Sequence, residues 1–88
     1  MQENKLLEFR LAVGKTIQKM RLEKDYSINK MAFEYDFDKG NLSKTERGIY
    51  SIHLVTAWKI CEALGIKFSD FAKRLEEELG DDFNLTDL

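Results

Sequence analysis

Ser27 to Gly48, SINKMAFEYDFDKGNLSKTERG, constrains the fold more than any other stretch of this chain. Its apolar residues fall into two short sets. Ile28, Met31 and Ala32 recur at helical spacing, Tyr35 and Phe37 straddle a polar break, and Leu42 follows five residues after Phe37. The pattern predicts two short helices around a tight turn. Ala32 is the informative small residue, because two helices crossing steeply approach closely only where one presents little side-chain volume. Such a contact holds the second helix proud of the surface.

Ser27 is placed to cap the first of these helices, its hydroxyl accepting from backbone N–H groups two or three residues on, and that helix runs to about Tyr35. In the turn DFD, Asp36 tolerates left-handed backbone better than a bulky residue does. Asp38 is placed to cap the next helix, Lys39 to about Arg47, which Gly48 ends. That helix is mostly polar. Leu42 turns inward, while Lys39, Gly40, Asn41, Ser43, Lys44 and Arg47 populate the outer arc as one dense cluster rich in donors. A helix with so little apolar surface needs a reason to be ordered.

The flanking segments supply the core. A first helix over most of Asn4 to Glu23 carries Leu6, Leu7, Phe9, Val13, Ile17 and Met20 as an amphipathic stripe. Gly14 weakens its middle by roughly 1 kcal/mol relative to alanine and allows a close helix crossing. Downstream, Ser51 is placed to cap a fourth helix from Ile52 to Leu64, with Leu54, Val55, Trp58 and Cys61 or Leu64 as core contacts and Gly65 as its stop. A fifth helix, from about Phe68 to Leu79, aligns Phe68, Phe71, Ala72, Leu75 and Leu79 on one face and ends at Gly80. Five helices, short connections and no strand signal make an all-α five-helix bundle. The chain has no proline and its five glycines are dispersed, so no linker divides it: residues 1–79 form one domain and 80–88 an acidic tail.

Net charge is −2, which alone argues against a nucleic-acid partner. Its distribution is asymmetric. Residues 1–60 hold eleven Lys and Arg against eight Asp and Glu, and residues 61–88 hold three against eight. A phosphate-facing half and an acidic distal half give this asymmetry, and so does ordinary surface charge on a solvated helical protein.

Enzymatic chemistry finds little to use. His53 and Cys61 are the only histidine and cysteine, and eight residues on one helix place them about two turns apart, beyond hydrogen-bonding reach. Cys61 reads as a small core residue and His53 as a first-turn helix residue. There is no glycine-rich phosphate loop or metal-ligand set, so no cofactor, metal or small-molecule ligand is expected. Glu76, Glu77, Glu78, Asp81 and Asp82 read as a solvated face, since consecutive carboxylates on a helix end point in different directions. One cysteine excludes an internal disulfide framework, no apolar run reaches transmembrane length, and MQENKLLEFR lacks a signal-peptide pattern. The expectation is a cytoplasmic protein, with 88 residues leaving no room for a separate sensory domain.

From Val13 to Leu75 the chain closely resembles the helix-turn-helix domain of the lambdoid phage repressor and Cro proteins, the Xre type. The resemblance rests on GKTIQKMRLEKDYS with its arginine, the MA pair of the second helix, NLSKTERG closing the third, and KICEALGIKFSDF closing the core. It implies a lambda-repressor-like DNA-binding domain that reads the major groove of double-stranded DNA with the helix at about 39–47. Arg21 and Glu46 match the family's internal ion pair, which ties the first helix to the third. Lys39, Gly40 and Lys44 fall where related proteins read base edges, with Asp38 at the cap and Asn41 beside them; lysine can donate to guanine and asparagine can pair with adenine. Ser27, Ser43, Arg47 and the backbone from Gly48 to Ser51 match positions that sit against phosphates. The resemblance also implies a homodimer, with its interface near the fourth and fifth helices. There Phe68, Phe71, Leu75, Leu79, Phe83, Leu85 and Leu88 exceed what one small core buries.

Some positions depart from the family pattern. Ile28 replaces the usual glutamine that touches the DNA backbone and supports the reading helix, Asp36 replaces the turn glycine, and Ile49 and Tyr50 replace polar or basic residues after ERG. Of that last pair only the Tyr50 hydroxyl can reach a phosphate. Two functions fit: a sequence-specific transcriptional regulator, such as a repressor or controller protein, or a protein-interaction module, such as an antitoxin or adaptor, that keeps the fold with weak or no DNA binding.

Overall fold

Caps and left-handed corners cut the chain into α1 Glu3–Glu23, α2 Ile28–Tyr35, α3 Lys39–Glu46, α4 Leu54–Leu64 and α5 Phe68–Leu79, in a computed structural model that describes residues 3–86. Those residues form no strand. Asp25 takes φ 55° in the turn between α1 and α2. Ser27 then caps α2, accepting from the Lys30 N–H at 3.0 Å. That helix ends at Asp36, whose φ of 57° and ψ of 41° are left-handed. The N–H groups of both Asp36 and Phe37 turn back onto the Ala32 carbonyl, satisfying the helix end. Asp38 caps α3 through the Asn41 N–H at 2.8 Å, and Gly48 at φ 77° leads the chain away.

Helix α1 packs against α3, α4 and α5, α2 packs on α3, and α4 on α5. The core between them is formed by Val13, Ile17 and Met20 of α1, Met31 of α2, Leu42 of α3, Ile60, Cys61 and Leu64 of α4, and Phe71 of α5. Burial raises the Cys61 thiol above its ordinary range, so it stays protonated and behaves as a small apolar residue. Lys19 and Lys15 both reach Glu78 and hold its carboxyl below the usual range, and Arg74 does the same for Glu23. These solvated pairs latch α5 to α1 but add little stability.

Several expectations are corrected. Ser51 does not cap α4, which starts two residues later than expected, at Leu54; His53 is its N-cap rather than a first-turn residue and makes no side-chain capping bond. Leu54, Val55 and Trp58 do not enter the core: they are 68%, 66% and 53% exposed, and Ala57, Ile60, Cys61 and Leu64 face inward instead. On α1, Leu7 is likewise exposed. The apolar excess expected on α5 and the tail is largely covered. Phe71 is buried, Phe68, Leu75, Leu79 and Leu85 are half-buried, and Phe83 stacks on Phe9 with ring centroids 6.1 Å apart; Leu88 lies outside the described residues.

Candidate nucleic-acid interface

Helix α3 has two unlike sides. Leu42, Thr45 and Glu46 are buried, and Lys39, Gly40, Asn41, Lys44 and Arg47 are exposed, with Ser43 between. Gly40, Lys44 and Arg47 are spaced i, i+4 and i+7, one stripe opposite Leu42. Every charged side chain on that exposed side is basic. An alanine methyl at Gly40 would meet only the Asp38 side chain, at 3.2 Å, so the stripe has a bare patch above its first turn.

The buried side explains why so polar a helix is rigid. Arg21 donates from Nε to Glu46 Oε2 at 2.7 Å and from a terminal nitrogen to Oε1 at 2.9 Å, a bidentate pair whose side chains are 9% and 3% exposed. Its other terminal nitrogen donates to the Tyr26 carbonyl at 2.7 Å. One guanidinium thus joins the end of α1, the connection to α2 and the end of α3. The hydrogen bonds to Glu46 raise the Arg21 pKa above its ordinary value. Gly14 makes the pairing possible: a Cβ there would lie 2.3 Å from the Glu46 carbonyl oxygen and 2.6 Å from that of Thr45. The last turn of α3 therefore rests directly on the backbone of α1.

Two further contacts fix the segment after α3, and nothing in the sequence pattern signalled them. Arg10 Nε donates to the Gly48 carbonyl at 2.9 Å, and the Gly48 backbone abuts Leu11 so closely that a Cβ would sit 2.8 Å from its Cδ2. Tyr50 folds back over α3. Its hydroxyl donates to Asn41 Oδ1 and accepts from Lys44 Nζ, both at 3.4 Å, with that ammonium 5.6 Å from the ring centroid. Elsewhere, Ile28 packs against the core, and the Ser27 hydroxyl is engaged in the α2 cap.

No group of three or more His, Cys, Asp or Glu gathers as a metal site among the described residues, and none of their helices is long and apolar enough to cross a membrane.

A cap–helix–turn–helix with a solvated basic face on its second helix, braced from behind by a buried ion pair, defines a helix-turn-helix DNA-binding regulator. The helix-turn-helix family HTH_3 matches residues 17–71, and the chain belongs to it. It is 37% identical over 62 residues to the control protein C.BamHI of Bacillus amyloliquefaciens, covering 69% of this chain and 76% of that protein. With the control protein C.MunI of a Mycoplasma species it shares 32% identity over 72 residues, 81% of this chain and 97% of that one. The fold is shared with the clp gene regulator ClgR of Corynebacterium glutamicum, at TM-score 0.75, 24% identity and coverage of 82% of this chain and 92% of ClgR. An HTH_3 family transcriptional regulator of Vibrio cholerae aligns at TM-score 0.73 and 26% identity, over 84% of this chain and 42% of that one. The chain is accordingly a DNA-binding transcriptional regulator of the Xre-like helix-turn-helix type and not an enzyme.

Proposed function

We propose that the protein binds an operator as a homodimer and acts as a controller or repressor, each protomer laying α3 in the major groove. Lys39, Asn41 and Lys44 face base edges, the bare Gly40 lets the helix sit close to them, and Asp38 keeps the first turn of α3 formed. Ser27, Ser43, Arg47 and the backbone from Gly48 to Ser51 lie against phosphates. The observation that carries the reading is the exposed side of α3, whose charged side chains are all basic in a chain of net charge −2. The two control-protein relatives support the controller role. A regulator of this kind works in the cytoplasm, beside the DNA it reads.

The test is binding to DNA upstream of the protein's own gene as a function of salt. A dimer that brings Lys39, Lys44 and Arg47 of each protomer against the duplex, releasing the counterions of about six phosphates, gives a slope of log K against log salt of about −5. Arg47→Ala should weaken all sequences alike and reduce that slope by about 2, one phosphate contact per protomer. A flat salt dependence on a DNA that binds specifically would contradict this docking. An interaction module would instead bind neither operator nor random DNA.

A short reading helix spans only a few base pairs, and two-fold pairing doubles the information at no extra sequence length. The surface offered for that pairing is α4 rather than the tail. Leu54, Val55 and Trp58 project from its first turns, Trp58 stacks on Phe68 at 5.6 Å, and an apolar cleft of about 510 Å³ opens beside them, lined by Trp58, Cys61, Glu62, Ile66, Lys67 and Phe68. Tryptophans in such positions carry a large share of interface energy. Trp58→Glu should convert a dimer at micromolar concentration to monomer in sedimentation, with its helical circular dichroism unchanged. A wild-type monomer that binds a half-site as tightly as the full palindrome would contradict the dimer.

A further inference from the structure

The position after the ERG turn reaches back over the reading helix, and its partners there are two side chains of the reading face. The Tyr50 hydroxyl lies 3.4 Å from both Asn41 Oδ1 and Lys44 Nζ, and the Lys44 ammonium sits over its ring. Asn41 and Lys44 are three residues apart on one helical face, so a single hydroxyl can bridge them. We infer that Tyr50 is a specificity-determining positioning residue: it holds Asn41 and Lys44 in register as a pair of hydrogen-bond donors aimed at acceptor-bearing base edges, chiefly guanine. This rests on α3 being the reading helix.

The chemistry of the trio gives the direction of the preference. A hydroxyl has one proton to give, and here it goes to the Asn41 oxygen while the lone pairs accept from Lys44. With its oxygen so engaged, Asn41 presents its amide NH₂ outward. Lys44 keeps two of its three N–H donors for the groove. Guanine offers two acceptors, N7 and O6, in the major groove, whereas adenine offers one acceptor beside a donor. The pair therefore favours guanine over the bidentate adenine contact of a free asparagine. The perch also restrains a lysine that is otherwise free in solvent, so less rotamer entropy is lost when the base contact forms. The surroundings leave this bridge room to act. Tyr50 is itself 39% exposed, and Asn41 and Lys44 beneath it are exposed as well.

A quantitative binding-site selection with wild type, Tyr50→Phe, Lys44→Ala and the double variant tests the inference. In the wild type, the base pair flattened by Lys44→Ala should be a guanine. Tyr50→Phe, which keeps the ring and deletes the bridge, should flatten preference at that same pair, lower affinity for the selected site about three- to tenfold, the share of one polar contact, lower random-DNA affinity by less than that, and leave the melting temperature unchanged. In the Lys44→Ala background the Tyr50→Phe effect should shrink to below about twofold. Equal weakening on every sequence would make Tyr50 a plain phosphate contact and overturn the inference, as would an undiminished effect in the double variant, no effect at all, or a preferred base other than guanine. If Lys44→Ala itself changes no base preference, the reading-helix assignment fails first and this inference with it.

Discussion

Gly14→Ala should destabilise the protein by about 3 kcal/mol, although helix propensity taken alone makes the same change favourable by about 1 kcal/mol. The sign is decided by space. The added methyl would stand 2.3 Å from the Glu46 carbonyl oxygen and 2.7 Å from its carbon, both backbone atoms that no rotamer change can move aside. The last turn of α3 must lift from α1, which also strains the Arg21–Glu46 pair beside it. For a domain of this size that corresponds to a fall in melting temperature of roughly 12–24 °C. Thermal unfolding of Gly14→Ala checks it: an unchanged or raised midpoint would mean that α1 and α3 are not in backbone contact. Gly40→Ala, whose methyl would meet only the Asp38 side chain at 3.2 Å and no backbone, is the matched control and should change stability by less than about 1 kcal/mol.

Breaking the buried ion pair from one side is the second large effect. Arg21→Met leaves the Glu46 carboxylate without its guanidinium in a site where its side chain is 3% exposed, and removes the donor to the Tyr26 carbonyl as well. A stranded buried charge costs about 3–5 kcal/mol, far more than the pair's net contribution. Arg21→Met with Glu46→Leu should recover most of that loss, since two apolar side chains of similar volume strand nothing. Denaturant unfolding of the two single variants and the double variant measures the coupling. A double variant no more stable than the sum of the singles would show that the two residues act independently. The recovered protein should still bind operator DNA more weakly than wild type, because the pair also sets the angle at which α3 is presented.

Much of the fold was legible in the sequence because its punctuation is local. Ser27, Asp38, Gly48 and Gly65 do at helix ends what their side chains, or lack of one, allow, and Asp36 takes the left-handed corner that a short polar residue tolerates. Helix α4 was harder, since it is apolar on most of its circumference. Leu54, Val55 and Trp58 make one stripe, and Ala57, Ile60, Cys61 and Leu64 make another. Periodicity cannot say which faces inward; the structure turns the second stripe toward α1 and α5 and leaves the first exposed. At the interface, the composition of the α3 face followed from spacing alone. The Arg21–Glu46 pairing needed the family resemblance, for two charges 25 residues apart carry no pairing signal of their own. The Tyr50 bridge and the Arg10 bond to Gly48 depend on where the loop after α3 turns, which no local pattern encodes.

The central claim is that the basic stripe of α3 reads DNA sequence, twice, about a two-fold axis. Selection from a random double-stranded DNA pool, with bound sites then footprinted, tests it most directly. The expected result is an inverted repeat whose half-site centres lie one helical turn apart, about 34 Å, with each protomer protecting a major-groove segment of a few base pairs. A folded protein that enriches no sequence, or that enriches a single half-site without symmetry, would contradict it.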